Sequence, residues 1–224
     1  MIKYTGCFFV VMICCSLVAK AQFTKDYQGK PYTEISNADA EGSPYLITNW
    51  AAGSVSFSNG KKVTAKLKYD LMKDELLFQN KSDSSAMTFI EPVQGFSFNY
   101  FPIAESSLTP LIFGNGFPPV EGQTPASFYQ VIADGKVKLL KHYKKVVRID
   151  QAFNSATSTK TFVLVDVYYL FVNNQLTKIR PGQKTILSAL NNKAAELQGY
   201  MKSNTINYKS DADLAKLFGY YNSL

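Results

Sequence analysis

The fold class is decided by the stretch Ser54-Val-Ser-Phe-Ser-Asn-Gly-Lys-Lys-Val-Thr-Ala-Lys-Leu-Lys-Tyr69. Apolar and polar residues alternate on both sides of Asn59-Gly60, with the period of two that turns one face of a strand towards a core. An Asn-Gly pair between two such runs is a strong hairpin signal, because a type I′ turn needs positive φ at both central residues. The stretch therefore predicts a β-hairpin.

Similar short runs follow at a spacing of roughly ten residues, which is typical of an antiparallel meander. They are Glu75–Gln79, Met87–Ile90, Gly95–Phe101, Ser127–Ile132, Lys136–Ile149, Thr161–Val172 and Gln175–Ile179. A second hairpin turn is predicted at Asp134-Gly135. Thr161–Val172 is apolar on both faces, which predicts a central strand covered on both sides.

The stretch Glu105–Pro125 interrupts the meander with four prolines and three glycines. Proline cannot donate to a strand ladder, so this composition excludes a central strand. We interpret the stretch as a surface crossover. The alternative is a functional loop, since long loops in compact domains often carry function.

After Pro181-Gly182 the apolar spacing changes from that of strands to that of helices. Ser210 suits a helix N-cap, and an apolar stripe follows it at Leu214, Leu217, Phe218 and Tyr221. The fold class predicted is α+β, an antiparallel β-meander sheet followed by two or three C-terminal helices. The sheet is expected either to stay open or to curl into a roll or partial barrel. We divide the chain into a signal peptide (1–21), a polar lead-in (22–43), an antiparallel β domain (44–180) and a helical segment that packs on the sheet (181–224).

The first 21 residues have the anatomy of a secretory signal peptide. Met1-Ile-Lys3 gives a positive start, Tyr4–Val18 is apolar, and Ala19-Lys20-Ala21 is a cleavage pattern before Gln22. A retained anchor or a lipoprotein attached at Cys14 or Cys15 are the alternatives. The apolar run is shorter than the ~20 residues of a spanning helix, so no transmembrane span is expected after cleavage. We expect export to the periplasm, the outer membrane or the medium.

Several chemistries lack their residues in the predicted mature chain. All three cysteines precede Gln22, which leaves no disulfide, thiol nucleophile or cysteine zinc site. His142 is the single histidine of the 224 residues, so histidines alone cannot build a metal site. Neither a Walker A motif nor GxGxxG occurs. We therefore expect no cofactor and no enzymatic activity.

Few acidic residues are candidates for a catalytic or binding role. Asp70, Asp74 and Glu75 form a carboxylate cluster of the kind that glycosidases use, but they fall in a predicted turn, where aspartate is common for conformational reasons. Asp166 lies inside an apolar run and is either a functional buried carboxylate or a residue that faces an edge or pairs with tyrosine or lysine.

The strongest charge feature lies between residues 136 and 148. An extended strand places one set of residues on a single basic face: Lys136, Lys138, His142, Lys144 and Arg148. We predict that this face holds an anionic envelope polymer or a lipid surface. Nucleic acid is not expected after export. The alternative is a solvated face that discourages aggregation of a sheet edge.

Several segments resemble exported proteins of Bacteroidota-type bacteria. They are Trp50-Ala-Ala-Gly-Ser-Val-Ser-Phe-Ser-Asn-Gly-Lys61, Leu67-Lys-Tyr-Asp70, Asp134-Gly-Lys-Val-Lys-Leu-Leu-Lys141, Tyr168-Tyr-Leu170 and Asp213-Leu-Ala-Lys-Leu-Phe-Gly-Tyr-Tyr-Asn222. The resemblance implies export and a β-rich domain with a helical tail. It implies no activity and no site residues.

Two functional classes follow from these residues. The favoured one is a non-catalytic binding or interaction protein of the cell envelope, whose partner is an anionic polymer, a lipid surface or an envelope protein. The alternative is a carrier of a small apolar or lipid ligand inside a barrel-like sheet. An interior filled by Phe and Tyr would leave such a ligand no room.

Overall fold

The computed structural model describes residues 27–34, 37, 39–99, 110–151, 153 and 157–224. Within this part, twelve strands form one sheet and three helices follow it. The first seven strands are β1 (Gly29–Pro31), β2 (Ala40–Glu41), β3 (Ala51–Phe57), β4 (Lys62–Asp70), β5 (Glu75–Gln79), β6 (Ala86–Phe89) and β7 (Val93–Phe98). The remaining five are β8 (Leu111–Gly114), β9 (Tyr129–Ala133), β10 (Lys138–Gln151), β11 (Ser158–Val172) and β12 (Gln175–Ile179). The helices are α1 (Gln183–Ala189), α2 (Ala194–Asn204) and α3 (Asp211–Ser223).

The predicted fold class is confirmed, with three helices at the C-terminal end. The strand order is β1-β6-β5-β4-β3-β7-β8-β9-β10-β11-β12, and β2 pairs with β11. Every neighbouring pair on this path is antiparallel, whereas β2 and β11 are parallel. The sheet is open and does not close into a barrel. The predicted signal peptide (1–21) lies outside the described residues.

The hairpin of β3 and β4 is confirmed, but its turn differs from the one predicted. The strands pair from Ala51↔Leu67 to Ser56↔Lys62. Of the connecting residues only Gly60 has positive φ, at 82°, and its N–H donates to the carbonyl oxygen of Phe57 at 2.9 Å. A type I turn followed by a left-handed glycine is the common alternative to a type I′ turn, and it spares Asn59 a positive φ.

The sheet curls so that the β4–β5 turn meets β10, although four strands separate β4 from β10 in the sheet. The backbone N–H of Lys145 donates to the carbonyl oxygen of Leu71 at 3.1 Å. Inside the curl lies an aromatic core, whose rings pack edge to face or stacked against their neighbours. Its largest buried rings are Phe57, Tyr69, Phe78, Phe96, Phe98, Phe113 and Phe128.

A second core joins the helices to the C-terminal part of the sheet. Leu139 and Leu170 on the sheet pack with Leu197 of α2 and Leu217 and Phe218 of α3. The amphipathic stripe predicted for the last helix is thereby confirmed, as is its cap, because the Asp213 N–H donates to Ser210 Oγ at 3.3 Å. Burying the stripes on a shared sheet face is what holds these short helices in place.

Asn222 of α3 ties the helix to the β9–β10 turn. Its Oδ1 accepts from the Val137 N–H at 3.0 Å, and its Nδ2 donates to the Val137 carbonyl at 2.9 Å. Gly135 lies directly beneath, with a φ of 154°, and a Cβ there would fall 2.5 Å from Asn222 Cγ. The predicted hairpin turn at Asp134-Gly135 therefore also serves as the docking point of α3.

The Pro/Gly-rich crossover is described from Pro110 onwards, and this part packs against the sheet. Phe117 and Val120 cover a small core formed by Tyr129, Leu140 and Tyr169. These two residues act as a structural cover. The prediction that the stretch holds no central strand is wrong, because β8 lies inside the sheet and pairs with both β7 and β9. β8 contains none of the four prolines, so each of its residues keeps an N–H for the strand ladder.

The segment 22–43 is more than a lead-in to the β domain, because two short strands from it join the sheet. β1 pairs with β6 through Gly29↔Phe89, Lys30↔Thr88 and Pro31↔Met87. β2 pairs with β11 at Lys160 and Thr161. Backbone pairing needs no apolar alternation at so short a strand, which is why the sequence pattern did not indicate it.

Candidate functional site

Two strands extend beyond the rest of the sheet as a two-stranded arm. β10 and β11 pair over their whole length, but β9 accompanies β10 only as far as Lys141, and β12 accompanies β11 only from Tyr168. We call residues 142–151 and 158–167 the arm. Its length is ~34 Å, at the usual rise of ~3.4 Å per residue.

One face of the arm, the open face, lies in solvent. It carries Lys144, Val146 and Arg148 from β10 and, directly opposite them, Val165, Val163 and Thr161 from β11. Val146 is 36% exposed and Val165 is 44% exposed. Apolar side chains and cations therefore stand side by side on a surface that no strand or helix of the described chain covers.

The other face is crossed by residues 39–45. Lys145 Nζ donates to the carbonyl oxygens of Ser43 at 2.6 Å and Tyr45 at 2.8 Å. Burial lowers the pKa of this ammonium, and the carboxylate of Asp70 opposes that shift. A Cβ on Gly42 would lie 3.6 Å from Phe162 Cβ, so the crossing segment is in contact with the strand below. This face fixes the arm to the body of the molecule.

Exposed apolar residues concentrate on the arm and on its end. Nine large apolar side chains are exposed in the described part of the chain. Five of them belong to this region: Val146, Ile149, Phe153, Leu164 and Val165. Val146 and Val165 lie on the open face, whereas Ile149 and Leu164 lie on the other face, beyond the part that residues 39–45 cover. Phe153, in the connection between β10 and β11, is 97% exposed. Such clustering marks an interaction surface, whereas single scattered apolar residues do not.

The prediction of a covered strand at Thr161–Val172 is wrong for its first half. Leu164 is 47% exposed, because β11 runs past the ends of its neighbours into the arm. The apolar residues on both faces were the available signal for this surface. They were interpreted as burial, because the sequence does not say how far the flanking strands extend.

The structure brings together only part of the predicted basic face. Lys144 and Arg148 lie on the open face, and Arg148 Nε is 2.7 Å from Asp150 Oδ2. Lys138 begins β10 and pairs with Asp134, while Lys136 is exposed in the turn before the strand.

His142 departs from the expected solvated face, because it is 7% exposed. Phe117 and Val120 of the crossover pack on this face of the sheet beside Tyr129 and Leu140, and the Tyr129 ring lies 5.3 Å from that of His142. Anion binding by the five residues stays a prediction.

His142 belongs to a buried polar cluster around Asp74. Asp74 has a φ of 55°, and its Oδ1 accepts from the Tyr69 hydroxyl and from the Phe128 N–H at 3.3 Å. His142 Nε2 lies 3.9 Å from Asp74 Oδ2. The Tyr129 hydroxyl is buried beside them and has no hydrogen-bond partner among the described residues.

Electrostatics in this cluster favour neutral tyrosines. Burial raises the pKa of Tyr69, and the negative charge of Asp74 raises it further. Burial and then Asp74 raise the pKa of Tyr129 to about 12. A carboxylate beside an imidazole can move protons, but Tyr69, Tyr129 and His142 are all buried here. The cluster joins the β4–β5 turn to β9 and β10.

The conformational interpretation is confirmed for Asp70. Asp70 Oδ1 accepts from the backbone N–H groups of Met72 at 2.8 Å and Lys73 at 3.0 Å, the geometry that makes aspartate frequent in turns. Glu75 pairs with Asp70 across the hairpin as the first residue of β5.

Asp166 is paired rather than buried, as one of its two interpretations proposed. Its Oδ2 lies 3.1 Å from Lys141 Nζ, and its side chain is 39% exposed. Lys141 also meets Asp211 at 3.1 Å. Burial lowers the pKa of Lys141, but Tyr143, Tyr168 and Asp211 outweigh burial and raise it overall. The network fastens the start of α3 to the base of the arm.

Two further observations concern metals and membranes. Among the described residues, no group of three or more His, Cys, Asp or Glu side chains is placed to hold a metal ion. None of the helices in the described ranges is long and apolar enough to cross a membrane.

Comparison with protein-family models, with curated proteins and with solved structures found no match. The resemblance to exported proteins of Bacteroidota-type bacteria stays a prediction. The function is therefore argued from the side chains of this chain alone.

Proposed function

We propose that the protein is a non-catalytic binding or interaction protein of the bacterial cell envelope and that the arm is its contact surface. One observation carries the proposal: five of the nine exposed large apolar side chains in the described chain lie on the arm or at its end. The envelope location rests on the signal-peptide pattern of residues 1–21.

The shape of the arm supports this role. A two-stranded ribbon has only a marginal stability of its own, because it has little apolar surface to bury. This ribbon is held near its base by Lys145 and near its outer end by β2, which pairs with Lys160 and Thr161, and both contacts leave the open face accessible. A rigidly held ribbon that presents apolar side chains suits a binding surface, since little ordering entropy is lost on association.

The buried cluster around Asp74 gives no support to an enzyme. Its hydrogen bonds all run between elements of the fold, and the imidazole faces Tyr129 at a ring distance of 5.3 Å. A catalytic base has to reach a proton of the substrate, which a histidine at 7% exposure does not do in this conformation.

The carrier alternative is disfavoured by the interior of the curled sheet. Phe96 and Phe113 stack at 4.7 Å, and Phe128 packs edge to face against Phe96 at 5.1 Å. Rings at these separations are in direct contact, so they occupy the place that a ligand would need.

The test compares two matched variants for association with cell envelopes. Val146→Thr with Val165→Thr removes apolar character from the open face and keeps the branched shape that strands favour. The control, Ile90→Thr with Ile112→Thr, alters two exposed apolar residues elsewhere, at 58% and 51% exposure. Envelopes are crosslinked in intact cells and the captured material is compared.

We expect the arm variant to lose most of its crosslinked envelope material while the control keeps it. If the arm variant is captured as well as the natural chain, the arm is not the contact surface. Native mass spectrometry of the gently purified protein tests the carrier alternative, because a carrier would retain a small apolar ligand.

A further inference from the structure

We infer that the arm docks on an anionic lipid bilayer, with Phe153 and the open-face valines among the headgroups and acyl chains and with Lys144 and Arg148 at the lipid phosphates. The inference rests on the proposed function, because it takes the arm as the contact surface and names what it contacts.

The end of the arm supplies the apolar contact with the bilayer. Phe153 is 97% exposed, and the open-face valines Val146 and Val165 are 36% and 44% exposed. A phenylalanine held in water at the end of a ribbon gains free energy when its ring enters an apolar phase. Segments that lie in the membrane interface commonly carry Trp, Phe or Leu on the side that enters the acyl boundary.

Two cations on the open face supply the electrostatic attraction to the lipid phosphates. Lys144 is exposed and forms no ion pair with any described residue. Among the described residues Arg148 pairs with Asp150 alone, and both side chains are more than half exposed, at 61% and 57%. Exposed pairs of this kind contribute little, so the guanidinium can exchange its carboxylate for a phosphate.

The net charge of the open face has the sign that an anionic membrane attracts. On the open face the cations are Lys144 and Arg148 and the carboxylate is Asp150, which gives 2 − 1 = +1. Lys145 and Lys160 lie on the other face, where Lys160 pairs with Asp39 at 2.6 Å. Each exposed cation near an anionic surface strengthens binding by a factor of about five. This contribution weakens with salt, because the screening length is ~8 Å at physiological ionic strength.

The alternation of side chains distinguishes a bilayer from a soluble polymer. Lys144, Val146 and Arg148 follow one another on the open face at intervals of ~7 Å. A polyanion needs only the cations and would leave the valines and Phe153 in water. A bilayer surface accepts both, since charged headgroups lie beside acyl chains, as for amphipathic segments that lie in the interface.

Flotation with lipid vesicles tests the inference. The protein is purified from its source cells, so that it carries its natural N-terminus. It is mixed with vesicles of phosphatidylcholine alone or with about one third phosphatidylglycerol, at low and at high salt. We expect it to float with the anionic vesicles at low salt, at least tenfold more than with the neutral ones, and to be released by high salt.

Two variants separate the two contributions. Phe153→Ser should weaken binding to anionic vesicles about tenfold through the lost apolar area. Lys144→Glu with Arg148→Glu should weaken it more than twentyfold, since two favourable cations are lost. The matched control, Lys62→Glu with Lys66→Glu, reverses two exposed lysines on β4 and should stay within about threefold of the natural chain.

A third variant reports where the end of the arm goes. Phe153→Trp places an indole there, and its emission should shift to the blue on anionic vesicles and be quenched by brominated acyl chains. The natural chain, whose single tryptophan is Trp50, gives the background. An unshifted emission, or equal flotation of the charge-reversal variant and its control, would overturn the inference.

The outcomes also separate the inference from the function on which it rests. Suppose that vesicles do not bind while Val146→Thr with Val165→Thr still loses its envelope partner. The bilayer is then the wrong partner, and the arm remains the contact surface. Binding to dextran sulfate without binding to vesicles would assign the cations to a polyanion. If changes in the arm alter neither the crosslinking to envelopes nor the binding to vesicles, the arm is not the contact surface and the bilayer is not its partner.

Discussion

At the scale of single residues, the most informative group is Asp74 with its neighbours. Its carboxylate accepts from the Tyr69 hydroxyl and the Phe128 N–H, and it faces His142. These contacts join the β4–β5 turn to β9 and β10, which lie several strands away in the sheet. A single side chain in a left-handed conformation thus links two distant parts of the sheet, and the strain of that conformation is tolerated because the contacts offset it.

Asp74→Ala should lower the free energy of unfolding by about 2 kcal/mol, because it leaves a buried hydroxyl and an N–H without their acceptor. Urea unfolding followed by tryptophan emission measures the change. The control is Asp150→Ala, which breaks only an exposed ion pair and should change stability by less than about 0.5 kcal/mol. Equal losses in the two variants would contradict the linking role.

Tyr129→Phe should leave stability unchanged or raise it by up to about 1 kcal/mol, since the hydroxyl is buried and lacks a partner among the described residues. Tyr168→Phe is the matched comparison. It removes a hydrogen bond to Asp211 of 2.7 Å and should cost about 1 kcal/mol. A marked loss of stability in Tyr129→Phe would mean that the hydroxyl has a partner.

Stability should also fall at alkaline pH. Burial raises the pKa of Tyr129 and of Tyr168 to about 12, whereas an unfolded tyrosine titrates near ~10. Folding therefore favours the protonated form. This contribution is complete below pH ~10 and is lost as the pH rises towards about 12. Urea unfolding between pH 8 and pH 11.5 measures the decline, which should be shallower in Tyr129→Phe. A stability that rises with pH in this range would contradict the assignment.

At the scale of elements, the β9–β10 turn fixes the C-terminal end of α3, in addition to the buried stripe and the contacts of Asp211. Gly135→Ala should lower stability by about 1–3 kcal/mol, because the new methyl meets the Asn222 side chain and the φ of 154° disfavours any L side chain. Gly199→Ala in the middle of α2 is the control, with open space around it, and should raise stability by about 0.5–1 kcal/mol. Far-ultraviolet dichroism during thermal unfolding compares the two. A stabilised Gly135→Ala would show that the turn can move away from the helix.

The sequence predicted the elements better than their ends. Alternation identified the hairpin of β3 and β4, and the helical stripe identified α3, because both patterns follow from burial of one face. The arm was missed because strands outrun their neighbours for tertiary reasons that no local pattern records. For the same reason Lys144 was placed correctly in solvent while His142, two residues earlier on the same face, was not.

At the scale of the whole molecule, two large cores share one sheet that narrows between them. β8 and β9 pair at only two positions, Phe113↔Gln130 and Gly114↔Tyr129. The curl bridges this narrow point from the other side, through Lys145 with Leu71 and through Tyr143, whose ring lies 6.3 Å from that of Phe113. We therefore regard the aromatic core and the helical core as parts of one cooperative unit.

Unfolding should accordingly be a single transition. Emission of Trp50 reports the N-terminal part of the sheet, and dichroism at 222 nm reports the helices. The two urea curves should coincide, and Leu217→Ala should shift both by the same amount, with a loss of about 2–5 kcal/mol at this buried position. Two separate midpoints would show that the cores unfold independently.

The pairing of β2 with β11 has a consequence for the order in which the chain can fold. Asp39 and Lys160, which form an ion pair beside this pairing, are 121 residues apart in the chain. Contacts between such remote residues slow folding. The chain between them loses conformational entropy when it closes, and this loss comes before the contacts that compensate for it can form. During synthesis, the residues around position 40 leave the ribosome before those around position 160. β2 therefore cannot pair with β11 until both segments have been made. The late closure of this pairing is compatible with the export that the pattern of residues 1–21 predicts, since secretion channels thread chains that have not yet completed their fold.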